Sequence, residues 1–131
     1  MRKLTYLAVL EEAKDGFSIY FPDLPGCVSF GDSIEDAAVK AAEALELHIY
    51  GMEKDGDVVP MPSLTVNKDL GIVMPIKVYP DLVKHEMENK RVKTNVTIPV
   101  WLKEKAESEN INYSRLLEQA LKEVLNINDS N

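Results

Sequence analysis

Cysteine is almost missing from this chain: Cys27 is the single one among 131 residues. No intramolecular disulfide can form and no thiolate cluster can hold a metal, which fits a reducing cytoplasm. Cys27 follows Pro25-Gly26 and no histidine or basic residue adjoins it to stabilise a thiolate, so it reads as a small buried hydrophobe. Long apolar runs are also lacking. No stretch approaches the roughly 20 residues of a membrane helix. The run after Met1-Arg2-Lys3 is broken by Thr5 and closed by Glu11-Glu12, too short and too strand-like for a signal peptide. A soluble cytoplasmic protein without a membrane partner is expected. Histidines number two, His48 on or beside a helical stripe and His85 in an expected linker. Neither has a partner at metal-ligand spacing, so both read as packed or solvated side chains. A glycine-rich phosphate loop and a Ser-His-Asp arrangement are missing too; no metal and no cofactor is expected.

What is present is globular in composition, 45% hydrophobic and 28% charged, and long enough for one ordinary domain or for a small domain with an appendage that needs help to fold. The net charge of −7 taken alone argues against nucleic-acid binding, but it is unevenly placed. Residues 1–88 carry 8 Lys/Arg and 16 Asp/Glu, whereas residues 89–131 carry 7 and 6, with Lys90, Arg91 and Lys93 close together. The C-terminal part can approach phosphate and the N-terminal part is repelled by it, which points to two partners of opposite charge.

The first part reads as β-β-β-α-β. Leu4–Leu10 is rich in strand formers and Phe17–Phe21 alternates with period two. Ala13-Lys14-Asp15-Gly16 makes the turn between them, and a third strand is expected at Cys27–Phe30 after the breaker Pro22-Asp23-Leu24-Pro25-Gly26. Ser33 can cap a helix with Asp36 three positions on, and Ile34, Ala37, Ala38, Ala41, Leu45, Ile49 and Met52 recur at helical spacing until Gly56. Gly71–Val78 reads as a fourth strand, with Pro75 placing it at an edge or bulge. One helix across a small sheet is an α+β layer.

The string Tyr20-Phe21-Pro22-Asp23-Leu24-Pro25-Gly26-Cys27, then Gly31-Asp32-Ser33 and the Ala-rich helix, and later Pro60-Met61-Pro62-Ser63, resembles the HicB antitoxin family of type II toxin–antitoxin systems. The likeness covers nearly the whole chain. It implies a truncated ribonuclease-H-like module that binds a small basic HicA-type toxin, itself a cleaver of messenger RNA. Given such a partner, Phe21, Asp23, Asp32 and Glu35 are candidate toxin contacts, the carboxylates occupying basic groups that otherwise hold RNA phosphate. Taken singly, each carboxylate reads equally as ordinary surface charge. Ribonuclease-H chemistry itself is not expected. It needs carboxylates converging on two divalent metals, and Leu4–Leu10 contains none, with Glu11-Glu12 falling at the turn.

In the last part, Val92, Thr94, Val96 and Ile98 alternate with Lys93, Asn95 and Thr97, Pro99 opens a short helix that includes Leu102 and Ala106, and Asn112 can cap a second helix striped by Leu116, Leu117, Ala120, Leu121, Val124 and Leu125. A lone strand and two short helices are too little for a core. A two-fold dimer in which the strands pair antiparallel and four helices close around them solves this, and that is the plan of a ribbon-helix-helix. Such a ribbon fits the major groove. Lys93 can reach guanine acceptors, Asn95 an adenine edge, and Thr97 a base or a thymine methyl, with Lys90 and Arg91 at the ribbon's mouth. Free amides at Tyr113 and Ser114 suit a phosphate. The family resemblance agrees with these positions, although an apolar residue is more usual at the place of Thr94. The alternative is that Lys93, Asn95 and Thr97 are merely the solvated face of a dimerisation ribbon.

The expected organisation is therefore a toxin-binding domain at 1–80, a linker at 81–89, a ribbon-helix-helix at 90–126 and a tail at 127–131. The expected function is an antitoxin that neutralises its toxin and, as a homodimer with a higher assembly possible on the toxin, binds operator DNA to repress its own operon. A ligand-responsive transcriptional regulator without a toxin partner is the alternative, and a ribonuclease-H-like enzyme a third class.

Overall fold

The computed structural model describes residues 1–128, so the last three positions of the expected tail lie outside the described residues. The elements run β1 (Leu4–Ala13), β2 (Gly16–Tyr20), β3 (Val28–Gly31), α1 (Ile34–Lys54), a 3-10 turn at Lys68–Leu70, β4 (Ile72–Val78), α2 (Pro80–Glu88), α3 (Val100–Ser108) and α4 (Tyr113–Val124). They fall into two compact units, Met1–Arg91 and a second that begins at Val92.

In the first unit the strands form one antiparallel sheet in the order β3-β2-β1-β4. Side chains alternate between its faces: Tyr6, Ala8 and Leu10 of β1, Ile19 of β2 and Ile76 and Val78 of β4 join Ala37, Ala41, Leu45 and Ile49 of α1 in one core. The β1–β2 turn is tighter than the sequence suggests. Ala13 pairs with Gly16, so Lys14-Asp15 alone make the bend, and Glu11 and Glu12 lie in the strand opposite Ser18 and Phe17. Pro75 sits on the edge strand β4, where a missing ladder donor is tolerated.

Both ends of α1 are fixed locally. Asp36 N donates to Ser33 Oγ at 3.0 Å and Asp32 N to Asp36 Oδ2 at 2.9 Å, satisfying donors that the first turn leaves free. At the other end Gly56, at φ +76°, takes the left-handed position, Gly56 N reaches Glu53 O at 3.2 Å and Asp57 N reaches Met52 O at 2.9 Å. These two bonds make a Schellman stop.

The expected linker at 81–89 is a correction. Pro80–Glu88 is helix α2, with Pro80 and Val83 buried against the first unit, and His85 lies inside it. Proline at the first helical position starts a helix as readily as it breaks one, and a single apolar anchor leaves little periodicity to read. Arg2 ties this helix down. Its Nη1 meets Glu53 Oε2 at 2.7 Å and its Nη2 meets Asp81 Oδ1 at 2.8 Å, while Arg2 N donates to Asp81 Oδ2 at 3.2 Å. One guanidinium thus joins the start of β1, the end of α1 and the start of α2.

Side-chain and then backbone hydrogen bonds from Arg2 hold the Asp81 carboxyl below its ordinary range. A depressed folded value stabilises the fold above the unfolded carboxyl value of about 3.9 and loses that contribution as pH falls through the folded value. Thermal unfolding between pH 7 and pH 3 is expected to show a smaller acid-induced fall in midpoint for Asp81→Asn than for the wild type; equal falls would remove Asp81 from the acid response.

Candidate functional site

The residues that suggested a partner-binding surface in the first unit separate into two pairs. Phe21 is 2% exposed and belongs to the core, so it has no surface to offer. Asp23 is engaged internally: Ser63 N donates to its Oδ2 at 2.7 Å and Ser63 Oγ to its Oδ1 at 2.6 Å. For Phe21 this is a correction to the expected contacts; Asp23 makes exposed hydrogen bonds and stays a candidate. The segment around them is a tight fold-back, with Leu24 N on Phe21 O, Cys27 N on Leu24 O and Phe21 N on Cys27 O. Sequence gives no distance between positions 23 and 63, so an aspartate that fixes a remote loop looks like a surface charge. Asp32 and Glu35 are exposed, beside and in the first turn of α1.

Asp23 is one of two fasteners on the long connection from α1 to β4; the other is Tyr6 Oη, which donates to Pro60 O at 2.6 Å. Burial pushes the Cys27 thiol up to about 11, so it stays protonated and unreactive near neutral pH. Among the described residues no three His, Cys, Asp or Glu side chains gather as a metal site, and no helix is long and apolar enough to cross a membrane.

The nucleic-acid candidates Lys90, Arg91, Lys93, Asn95 and Thr97 are exposed, Lys90 and Arg91 at the end of the first unit and the others at the start of the second. The expected strand there is not formed within this chain: residues 90–99 carry no ladder. A lone extended segment has no neighbour to satisfy its backbone groups. At the start of α4, Asn112 Oδ1 accepts from Arg115 N at 3.1 Å, so Arg115 is not among the free amides. Tyr113 and Ser114 stand before it, and no hydrogen bond ties their amides to the described residues.

No residue of α3 or α4 is buried. Val92 is 78% exposed and Trp101 68% exposed, and Val96, Leu116, Leu121 and Val124 are exposed with them. An open apolar groove of about 380 Å³ runs between Ile98, Leu102, Ala106, Ile111 and Leu116.

Fold and sites define a two-unit α+β protein with a four-stranded antiparallel sheet. Residues 6–121 match the model of the HicB_like antitoxin of bacterial toxin–antitoxin systems, and the chain belongs to that family. It is 39% identical over 57 residues to an uncharacterised 14.9 kDa protein of Haemophilus phage HP1, a match covering 44% of this chain and 43% of that protein. The chain thus spans less than half the length of that relative. A UPF0150 protein of Synechocystis is 37% identical over 70 residues, 53% of this chain and 87% of the relative. Among solved structures, a chain of the toxin–antitoxin complex from Streptococcus pneumoniae is similar in fold at TM-score 0.57 and 18% identity, covering 93% of this chain and 99% of that one. The antitoxin HicB3 crystal structure is similar at TM-score 0.51 and 23% identity, covering 92% and 98%.

Removing the Asp23 carboxylate frees the Ser63 segment. Asp23→Ala is expected to lower stability by about 1 kcal/mol and to speed amide exchange at Ser63, read by urea unfolding and hydrogen–deuterium exchange. Unchanged exchange at Ser63 would show that this loop is held by other contacts.

Proposed function

We propose that this chain is an antitoxin that binds and neutralises a small basic HicA-type toxin, a cleaver of messenger RNA, and that it binds operator DNA as a homodimer to repress its own operon. Membership of the antitoxin family supports the first half. The observation that carries the second half is the uncovered second unit. Its apolar residues, among them Val92, Trp101, Leu116, Leu121 and Leu125, are exposed, and surface of that extent on a small unit calls for a partner.

A second copy supplies the cover. Two segments at 91–99 pair antiparallel, each satisfying the other's backbone, and the helices α3 and α4 of both copies close the groove along Leu102, Ile111 and Leu116. The second unit is read in this way as a ribbon-helix-helix, and the β-β-β-α-β order of the first as a partial ribonuclease-H-like module. Alternation then turns Val92, Val96 and Ile98 inward and Lys93, Asn95 and Thr97 outward, where a two-stranded ribbon enters the major groove. Asn95 bonds an adenine edge, Lys93 guanine acceptors and Thr97 a base or thymine methyl. Lys90 and Arg91 neutralise phosphate, and the free amides of Tyr113 and Ser114 at the start of α4 grip another. Antitoxin action places the protein in the cytoplasm with its RNA-cleaving target.

Two measurements test this. Adding the full chain to the toxin of its own operon at equimolar ratio is expected to stop RNA cleavage, and persistent cleavage would refute the antitoxin half. On DNA from upstream of that operon, Asn95→Ala is expected to lose sequence preference, and Lys93→Ala to lower the salt slope of binding by about one for each lysine removed; unchanged affinity and slope for both would remove the ribbon from the DNA.

A further inference from the structure

We infer that the groove between the start of β3 and the flank of α1 is the docking site for a cationic, extended segment of a partner protein. The inference rests on the antitoxin reading and names the surface that the toxin takes.

The groove has a volume of about 520 Å³ and is lined by Val28 on one side, by Ala44, Leu47 and Gly51 on the other, and by Asp55 and Asp57 at its end. Four features of different kinds converge there. The first is apolar. Leu47 is 61% exposed on the flank of α1, an apolar anchor of the kind from which interfaces draw their affinity when it is desolvated, and Val28 borders the groove at the edge of the sheet.

The second feature is the backbone. β3 is an outer strand, with β2 on one side and, among the described residues, no strand beyond it. Its outward N–H and C=O groups are a template on which another chain can add a strand.

The third is Gly51. It lies inside α1, where glycine costs up to about 1 kcal/mol relative to alanine. Its φ is not left-handed, and an added Cβ would meet no atom within 4 Å beyond its chain neighbours and the adjoining backbone of its own helix. Neither the backbone nor the packing of this chain asks for glycine here. Ala44, Leu47 and Gly51 share one flank by helical spacing, so the missing side chain deepens the groove beside Leu47, leaving room for an incoming one.

The fourth is charge. Asp55 and Asp57 stand at the C-terminus of α1, the negative end of the helix dipole, where carboxylates are disfavoured and a cation is favoured. Neither has an ion-pair partner among the described residues. Lys54, the basic residue of that last turn, lies instead over the Tyr50 ring at 6.0 Å and lines a different cavity. A strand added along β3 therefore seats an apolar side chain against Leu47, in the space left by Gly51, and brings a Lys or Arg to Asp55 and Asp57.

The test titrates the full chain and its variants with a catalytically inactive form of the toxin from the same operon, by calorimetry, beside thermal unfolding of each variant. Gly51→Arg fills the groove and adds like charge to the incoming segment. It is expected to weaken binding at least tenfold while keeping or raising the thermal midpoint, because arginine is the better helix former. Leu47→Lys, at an exposed position on the groove wall, is expected to weaken binding by a similar factor and decides the matter if Gly51→Arg lowers the midpoint. Wild-type affinity in both folded variants would overturn the groove while leaving the antitoxin reading intact. A wild-type chain that does not bind the toxin would overturn that reading and the groove with it.

Discussion

The contact between α1 and the sheet is what the rest of the first unit depends on. Ala37 and Ala41 present small side chains to the strands, and Gly31 of β3 lies so close that a Cβ there would fall 2.5 Å from the Ala37 backbone. Leu45 and Ile49 then fill the wider part of the core beneath β1 and β4. A helix of 21 residues seated in this way ends beside the start of β1, where Arg2 meets Glu53, whereas β4 begins opposite Leu10 at the other end of that strand. The chain has to travel back from Asp57 to Gly71 before it can add β4 beside β1.

That return path explains why two separate sequence features occur together. Residues 57–67 form no helix or strand and therefore have no ladder of their own. Tyr6 holds the segment at Pro60 and Asp23 holds it at Ser63. The Phe21–Cys27 fold-back accordingly serves to place a carboxylate at the correct height over the core, and the Pro60–Ser63 segment is what it grips. Proline at 60 and 62 limits the conformations of that segment, so two fasteners suffice.

The second unit is governed by the opposite condition. Its two short helices and extended segment have regular caps, yet bury nothing by themselves. A unit of this size cannot remove enough apolar surface from water to offset the entropy of ordering its chain. In the proposed dimer association is part of its folding, and the register of the proposed ribbon, with lysine, asparagine and threonine on one face, acquires meaning only when a second strand fixes which face is out.

Local signals in the sequence were enough for the four strands of the sheet, for the capped start of α1 at Ser33 and its stop at Gly56, for Pro75 on an edge, and for the stripes of the last two helices, because each depends on residues within a few positions of one another; the strand expected from Val92 to Ile98 has no neighbour to pair with among the described residues. The resemblance to the antitoxin family was carried by the strings Tyr20–Cys27, Gly31-Asp32-Ser33 and Pro60–Ser63. Helix α2 escaped notice because its anchors, Val83 and the Arg2–Asp81 pair, make sense only against elements far away in the chain. The same holds for Phe21 and Asp23, which look like an exposed loop and are in fact a core residue and a loop fastener. The groove at Val28, Leu47 and Gly51 needed the tertiary structure most of all: an exposed valine, an exposed leucine and a helix glycine are unremarkable singly, and only the packing of α1 across the sheet puts them side by side at an open strand edge.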